Sequence, residues 1–251
     1  MGHLVVRSYL RTSLQQYGSV EEQNFETSSV QGHNLLLKLP GSAAKQAPII
    51  VGAHYDGIPG TPGADDNASG VAVLLLLAEA FASNPASRPI WLVGFDLEEW
   101  GMLGGAALAR TLHDQQQQIH LMLSLEMLGY RSQAQRYPIS GMERFYGKTG
   151  DYIALVGNVR SSAKLLKMSR VMSRFVSTEL LPVPLSGKIL PDTRLSDHSP
   201  FWDYGYEAVM VTDTAFLRNP NYHKSSDTIE SLDLEFLEDV YRGIEATLRT
   251  F

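Results

Sequence analysis

The chain has 251 residues, and its 21 basic and 27 acidic side chains give a formal net charge of −6. This balance argues against a nucleic acid as a partner, because a negative surface repels a polyanion. Hydrophobic residues make up 44% of the chain, which is typical of a globular protein with a large core. Cysteine is absent, which excludes disulfides, thiolate metal sites and a cysteine nucleophile. Any bound metal ion must therefore be held by histidine, aspartate and glutamate.

The apolar runs and the first residues of the chain were searched for a membrane-spanning segment and a targeting signal. The longest apolar run, 71–78, is much shorter than the roughly 20 residues that cross a bilayer, so no transmembrane helix is expected. The first ten residues lack the basic flank, apolar stretch and cleavage site of a signal peptide. The sequence opens inside a predicted helix, which leaves a trimmed N-terminus possible, and it leaves the compartment and the oligomeric state open.

In chain order, the predicted elements begin with a helix over 4–14 and an antiparallel hairpin of strands 20–30 and 33–39, joined near Gly32. From Pro48 onward, short apolar runs alternate with helical segments. Strands are predicted at 49–53, 90–95, 121–125, 153–156 and 208–211. Helices are predicted at 68–82, 103–112, 163–180 and 234–248, and irregular segments at 57–63, 130–150 and 182–196.

This alternation predicts an α/β fold with three α/β/α layers. The central sheet should be mixed but mostly parallel, with helices on both faces and an antiparallel edge. No internal repeat, linker or composition shift divides the chain, so residues 1–251 are predicted to form a single domain. Open sheets of this kind place their ligand sites outside the carboxyl ends of the strands.

Polar residues with metal-binding chemistry follow several of these strands. His54 and Asp56 lie two residues apart at the end of the 49–53 strand, so their side chains point to the same face. A histidine that binds a metal ion is best oriented by a carboxylate on its other ring nitrogen. The pair therefore suits a ligand and its support, although His-x-Asp alone is a weak signal.

A second polar group precedes the apolar helix 68–82. Asp65, Asp66 and Asn67 stand between Gly63 and Gly70. A helix cap needs only one such residue, because one side chain satisfies the unpaired first-turn amides. The excess indicates a ligand site at the start of this helix.

Two further strands end in carboxylates. Glu98 and Glu99 follow the 90–95 strand, and adjacent residues of a regular strand point to opposite faces. Both can reach one site only if the strand ends there, a break that Gly101 permits; an acidic first helical turn is the alternative. Glu126 ends the 121–125 strand, and His223 lies in a late polar segment. Two histidines and several carboxylates suit a divalent cation, and the count suffices for two ions that share a carboxylate.

The order of these motifs resembles that of the co-catalytic zinc aminopeptidases, metallopeptidase family twenty-eight. The matching segments are 54–56, 63–67, 98–99, 126, 196–200 and 222–223. The resemblance runs from about Gly18 to the C-terminus and implies the zinc-exopeptidase architecture. It also implies two Zn²⁺ ions, one held by His54, Asp66 and Glu126 and the other by Asp66, Glu99 and His223.

The resemblance further implies that Glu98 is the general base, that Asp56 is the carboxylate supporting His54, and that the peptide bond after Asp66 is cis. Many relatives carry aspartate where this chain has Glu126. A tyrosine that assists the oxyanion in some relatives has no match here, and the nearby Arg194 is a candidate donor in its place.

The implied function is that of a di-zinc aminopeptidase, which hydrolyses the N-terminal residue from peptides with a free N-terminus. Three alternatives stay open on the same architecture. They are a single-zinc glutaminyl cyclase, a carboxypeptidase or dipeptidase, and a relative that keeps the fold without catalysis.

Overall fold

The computed structural model describes residues 2–27, 30–43 and 45–251. Its strands are β1 (Val20–Glu26), β2 (Gln31–Leu39), β3 (Ile49–His54), β4 (Ile90–Phe95), β5 (Leu121–Glu126), β6 (Ile153–Asn158), β7 (Thr178–Val183) and β8 (Ala208–Thr212). Its helices are α1 (Gly2–Gln15), α2 (Gly70–Ser83), α3 (Leu103–Asp114), α4 (Glu143–Tyr146), α5 (Ser162–Met172), α6 (His198–Asp203) and α7 (Leu234–Leu248).

The strands form one sheet in the order β1-β2-β4-β3-β5-β8-β6-β7. β4, β3, β5 and β8 are parallel, and β1 and β2 form an antiparallel edge, which confirms the predicted sheet. β6 and β7 run parallel to each other but antiparallel to β8, a second reversal that the sequence did not predict. The carboxyl ends of the four central strands therefore lie at the same end of the sheet as the amino ends of β6 and β7.

Two apolar cores hold the three layers together. β3 and β5 are buried at every position, as expected of strands covered on both faces. One core packs α1, α2, α5 and α7 on one face, and the other packs α3 and α6 on the opposite face. α7 contributes Phe236, Val240, Ile244 and Leu248, whose spacing places them on one side of the helix.

The segment Ala64–Ser83 is long and apolar enough to cross a membrane by length and composition, with a mean hydropathy of 1.3. Half of it is buried inside the fold, where Leu74 and Leu77 are completely enclosed by the core. Its first turn carries Asp66, which faces the cluster described below. Packing between the sheet and α7 accounts for the hydropathy of this helix, since the core helix of an α/β fold passes the same test.

The hairpin is confirmed, but its predicted junction near Gly32 is wrong. Gly32 lies inside β2 and pairs with Phe25 of β1. A Cβ atom at this position would lie 2.2 Å from the Phe25 ring, so the glycine makes room for an aromatic side chain. The chain reverses between Glu26 and Gln31, and residues 28 and 29 of that reversal lie outside the described residues.

The predicted helix 163–180 is also too long. α5 ends at Met172, and the chain re-enters the sheet as β7 from Thr178. β7 pairs with β6 over its whole length, from Ile153 opposite Thr178 to Asn158 opposite Val183. This non-local pairing overrides the local helical spacing, which was the basis of the prediction.

Candidate metal centre

His54 is the last residue of β3, and its side chain is 1% exposed. Its Nδ1 donates to the backbone carbonyl of Asp56 at 3.1 Å. Its Nε2 then faces Asp66 Oδ1 at 3.3 Å and Glu126 Oε1 at 3.6 Å, and it makes no hydrogen bond with the described residues. Burial acts to lower the pKa of His54, but the charges of Glu126 and Glu98 outweigh it and raise the pKa well above its usual range. Nε2 therefore favours a positive charge between the two anionic oxygens, and a bound cation would supply that charge in place of a proton.

The Asp56 carboxylate lies beside His54, as predicted, and it also binds the loop after β4. Its Oδ1 lies 3.5 Å from His54 Nδ1, farther than the backbone carbonyl of the same residue. Its two oxygens accept the backbone N–H groups of Glu98 at 3.0 Å and Glu99 at 3.2 Å. Asp56 therefore ties the end of β3 to the loop after β4 and orients the two glutamates.

The strand break required by Glu98 and Glu99 is present. β4 ends at Phe95, and Leu97 has a φ of +57°, a left-handed conformation that is uncommon outside glycine. The chain therefore turns at Leu97, four residues before Gly101, the residue that the sequence suggested for the break. Glu99 Oε2 approaches His223 Nε2 at 3.2 Å, whereas the Glu98 carboxylate has no hydrogen bond or ion pair with any described residue.

Asp66 stands at the centre of the cluster. It lies in the kinked turn Ala64–Ser69 that leads into α2, where its own φ of −104° and ψ of 88° are not helical. Its peptide bond to Asn67 is cis, as the family resemblance implied. Asp66 Oδ1 faces His54, while Oδ2 lies 3.1 Å from His223 Nε2. The two carboxylate oxygens of one residue therefore point to two different histidines.

Asn67 fastens this turn to the end of β5. Its side-chain Nδ2 donates to the backbone carbonyl of Leu125 at 2.8 Å. Its Oδ1 accepts the backbone N–H groups of Gly70 and Met127. Since Met127 follows Glu126 and has a φ of +49°, these bonds fix the point where the chain leaves the strand.

Glu126 ends β5 and uses its two oxygens differently. Oε1 faces His54, while Oε2 accepts a hydrogen bond from the hydroxyl of Ser196 at 2.8 Å. A second hydroxyl, that of Ser124, lies 2.7 Å from the Ser196 hydroxyl, and both serines are buried. This pair of hydroxyls accommodates the glutamate side chain and leaves one oxygen free for a ligand.

His223 closes the cluster from the loop between β8 and α7. One third of its side chain is exposed, and its ring stacks on Tyr222 with centroids 3.7 Å apart. The loop is anchored on the site because Asn219 donates to Asp65 Oδ2 at 2.7 Å. It is anchored again through Asp227, whose two oxygens accept the backbone N–H groups of Asp65 and Asp66 at 3.0 and 3.1 Å.

The five predicted ligand residues thus fall into two groups of converging ligand atoms. The inner group consists of His54, Asp66 and Glu126, and the outer group consists of Asp66, Glu99 and His223. Within each group the ligand atoms lie within 4.8 Å of one another. The inner group is buried, and the outer group opens to solvent at His223.

The charges of the cluster favour a cation. Burial raises the pKa of Glu98 well above its usual range, and burial together with the Asp66 charge raises that of Glu99 to about 7. Burial also acts to raise the pKa of Asp66, but the two histidines outweigh it and lower the pKa to about 2. The two upward shifts reflect carboxylates that are buried close to one another. A bound cation would favour their ionised forms and reverse the upward shifts.

A cavity of about 830 Å³, including the space at its open mouth, adjoins the cluster at Glu126 and Tyr222. Its walls are largely apolar and aromatic and include Tyr137, Met142, Tyr152, Leu181, Met210 and Phe216. Arg194, the candidate donor to the oxyanion, is engaged elsewhere. Its guanidinium binds the Asp203 carboxylate at 2.6 Å and the Ser186 carbonyl at 2.7 Å. Thr193, its neighbour, lines the cavity instead.

Three residues of the site were not singled out from the sequence. The sequence motifs assigned no role to Asp227, Ser124 or Ser196. Each acts through hydrogen bonds to a residue distant in sequence, such as Ser196 to Glu126 and Asp227 to the backbone of Asp66. No local spacing signals such contacts.

Comparison with known proteins places this arrangement in a family. The profile of peptidase family M28 matches residues 34–248. The chain belongs to this family. The predicted resemblance to metallopeptidase family twenty-eight is therefore confirmed.

Among curated relatives of this M28 member, the protein YfbL of Escherichia coli (strain K12) is 34% identical over 78% of the chain and 64% of its own length. Leucine aminopeptidase 1 of Aspergillus fumigatus is 28% identical over 81% of the chain and 52% of its own length. The chain thus spans between about half and two thirds of the length of these relatives.

Two solved structures share the fold. The Legionella pneumophila LapA aminopeptidase matches with a TM-score of 0.71 and 19% identity, over 99% of this chain and 62% of that one. A glutaminyl cyclase of Porphyromonas gingivalis matches with a TM-score of 0.72 and 17% identity, over 99% of this chain and 89% of that one. At these identities the likeness supports the three-layer α/β/α architecture.

Asp227→Asn is expected to weaken metal binding by roughly 10- to 100-fold, the usual cost of losing a partner that orients a ligand. The asparagine amide group would set an N–H donor against one of the two backbone N–H groups that Asp227 now accepts. Zinc titration checks this, with Glu235→Gln on the exposed start of α7 as the control. Unchanged zinc affinity in Asp227→Asn would show that the loop does not position Asp66.

Proposed function

We propose that this chain is a di-zinc aminopeptidase domain that removes the N-terminal residue from peptides with a free N-terminus. The observation that carries the proposal is the shared Asp66, whose two oxygens face the histidines of two separate ligand groups. Membership of peptidase family M28 and the aminopeptidase names of its relatives support the same activity. The described residues 2–27, 30–43 and 45–251 are proposed to act as one domain.

The donor set fits zinc. Each group offers one imidazole nitrogen and two carboxylates, a combination that zinc accepts in catalytic sites. His54 Nε2 and Glu99 Oε1 are buried without a hydrogen bond to the described residues, so both atoms are available to an ion. Bound zinc would lower the pKa of the attacking water and polarise the scissile carbonyl group.

Glu98 is proposed as the general base. Its carboxylate is adjacent to the cluster but is not held by any described residue, which leaves it able to take a proton from the attacking water. It would then deliver that proton to the nitrogen of the leaving amine. Asp56 holds the backbone of this glutamate in place and is a positioning residue in this scheme.

The carboxylates also provide for the free N-terminus. An α-ammonium group is stabilised by negative charge, and Glu126 lies at the boundary between the cluster and the cavity. The side chain of the N-terminal residue would enter the cavity, which ends against the sheet. An N-acetylated peptide lacks the positive charge and adds bulk at this boundary, so it should bind poorly.

The proposal is tested by metal analysis followed by a panel of peptides. We expect two zinc ions per chain, loss of activity on chelation, recovery with zinc, and cleavage of free but not N-acetylated peptides. A folded protein that binds at most one ion at saturation would contradict the two-metal centre. Cyclisation of N-terminal glutamine without hydrolysis would instead favour the glutaminyl cyclase alternative, which the fold similarity supports. Release of C-terminal residues would indicate a carboxypeptidase, cleavage confined to dipeptides a dipeptidase, and metal binding without any turnover a non-catalytic relative.

Glu126→Asp is expected to weaken binding of the inner zinc ion. The shorter side chain cannot reach both Ser196 and the inner group, so coordination there becomes incomplete. Glu126→Ala should weaken it further and reduce the discrimination between free and N-acetylated peptides. Zinc titration and the two peptide types measure both effects. If Glu126→Ala left affinity and discrimination unchanged, Glu126 would be excluded from the site.

A further inference from the structure

The cavity beside the cluster contains two carboxylates that the proposed mechanism does not use, those of Glu179 and Asp192. Glu179 of β7 lines this cavity, as does Glu126 at its other end. The two are joined by a row of directly paired residues, since Glu126 pairs with Thr212, Thr212 with Ala154, and Ala154 with Glu179. Residues paired across neighbouring strands lie on the same face of the sheet, and all four line the cavity.

This row forms a floor that leads from the proposed metal centre to Glu179. Neighbouring strands lie about 4.8 Å apart, so three steps separate the backbones of Glu126 and Glu179 by roughly 14 Å. Thr212 and Ala154 between them have short side chains, which leave the floor open. A long side chain whose α-amino group lies at Glu126 would extend along this row toward the second carboxylate.

The lining of the cavity provides no positive charge to Glu179. The residues lining the cavity include no lysine, arginine or histidine. The Glu179 carboxylate makes no hydrogen bond or ion pair with any residue among 2–27, 30–43 and 45–251. Burial raises its pKa, as expected of a carboxylate that is partly removed from water without compensation.

We infer that Glu179 makes the cavity selective for peptides that begin with lysine or arginine. This inference rests on the proposed aminopeptidase function. Both side chains combine an apolar stem with a charged head, which matches apolar walls such as Leu181 and Met210 followed by a terminal carboxylate. β7 is an edge strand, and a charge there also discourages pairing with other chains. Edge protection alone, however, would not affect the choice of substrate.

The experiment compares zinc-loaded enzyme on tripeptides that differ only in the first residue. Lysine is compared with 6-hydroxynorleucine, which replaces the ammonium group by a hydroxyl, and leucine serves as the apolar reference. We expect kcat/KM for the lysine peptide to exceed that for the hydroxynorleucine peptide by roughly tenfold or more, as for a hydrogen bond between charged groups. Binding of free lysine and free 6-hydroxynorleucine, measured by calorimetry, should show the same order.

Glu179→Gln should bring the ratio of the two kcat/KM values close to one, mainly through KM. Glu179→Lys should reverse the charge preference and favour a peptide that begins with glutamate over the lysine peptide. A structural defect would lower kcat/KM for all substrates together and would leave the ratio of the lysine to the hydroxynorleucine peptide unchanged. Glu235→Gln removes one carboxylate from the exposed start of α7 and controls for net charge. It should keep the lysine preference.

The outcomes separate this inference from the proposed function. If leucine peptides are cleaved but lysine is not preferred, or if the preference survives Glu179→Gln, the inference is overturned and the aminopeptidase function stands. The assignment is also wrong if Asp192→Asn, which changes the other carboxylate lining the cavity, removes the preference while Glu179→Gln does not. If zinc binds but no free peptide is cleaved, the proposed function fails and the inference fails with it.

Discussion

Glu98→Gln is expected to lower the turnover of an unblocked peptide by roughly 10²- to 10⁴-fold while the protein keeps its zinc. Glutamine has nearly the same shape as glutamate, but its amide group cannot take a proton from water near neutral pH. The backbone N–H of residue 98 that binds Asp56 is unaffected by the change, so the loop should keep its position. Steady-state kinetics and metal analysis on the same preparation measure the two effects.

Glu99→Gln is the matched control, because it makes the same chemical change at the adjacent residue. Glu99 Oε2 lies 3.2 Å from His223 Nε2 in the outer group, so this variant should lose the outer zinc ion. Its activity should fall as a consequence of metal loss and recover partly at high zinc concentration. Equal metal loss in both variants would mean that Glu98 and Glu99 do not divide the roles of base and ligand.

Asp66→Asn is expected to weaken the binding of both zinc ions. Each affinity should fall by more than the roughly 10- to 100-fold that is lost when a residue that only orients a ligand is removed. Asp66 is the only residue that belongs to both ligand groups found in the described part of the chain. Asparagine keeps one acceptor oxygen but turns an amide N–H₂ toward either His54 or His223, and the negative charge is lost. Activity should therefore fall at least as far as in Glu98→Gln.

Zinc stoichiometry distinguishes a shared ligand from a ligand of one site. Glu99→Gln removes a ligand of the outer group alone and should retain one tightly bound ion. Asp66→Asn should retain none at the same free zinc concentration. A folded Asp66→Asn protein with one tightly bound ion would contradict the shared role. Circular dichroism of all variants shows whether the fold is intact.

The kinds of elements and their order could be predicted from local pattern. Buried apolar runs predicted β3, β4, β5, β6 and β8, because strands covered on both faces read as continuous hydrophobic segments. The grouping of the candidate ligand residues could also be predicted, since the carboxyl ends of parallel strands meet at one edge of a sheet. The four residues His54, Asp66, Glu99 and Glu126 come from different segments, and the family resemblance groups them with His223.

Local pattern failed where a distant contact decided the outcome. β7 carries the spacing of a helix end and becomes a strand because β6 offers it a partner along its whole length. Glycine is typical of turns, but Gly32 lies inside a strand because the Phe25 ring occupies the space that a side chain at position 32 would fill. In both cases tertiary packing outweighs a local preference of about 1 kcal/mol per residue or less.

The sequence by itself determined the chemistry of this protein: which groups can bind a cation, which carboxylate stands beside them, and on what kind of sheet they lie. The tertiary structure alone decided how each group is held. Asp56 binds the backbone of Glu98 and Glu99, Ser196 binds Glu126, and Asp227 binds the turn that carries Asp66. Only the sheet register aligns Glu179 with Glu126 across four strands. The physical reason is that hydrogen bonds and strand pairing join residues whose separation along the chain leaves no periodic signal, whereas residue type and strand ends are local properties.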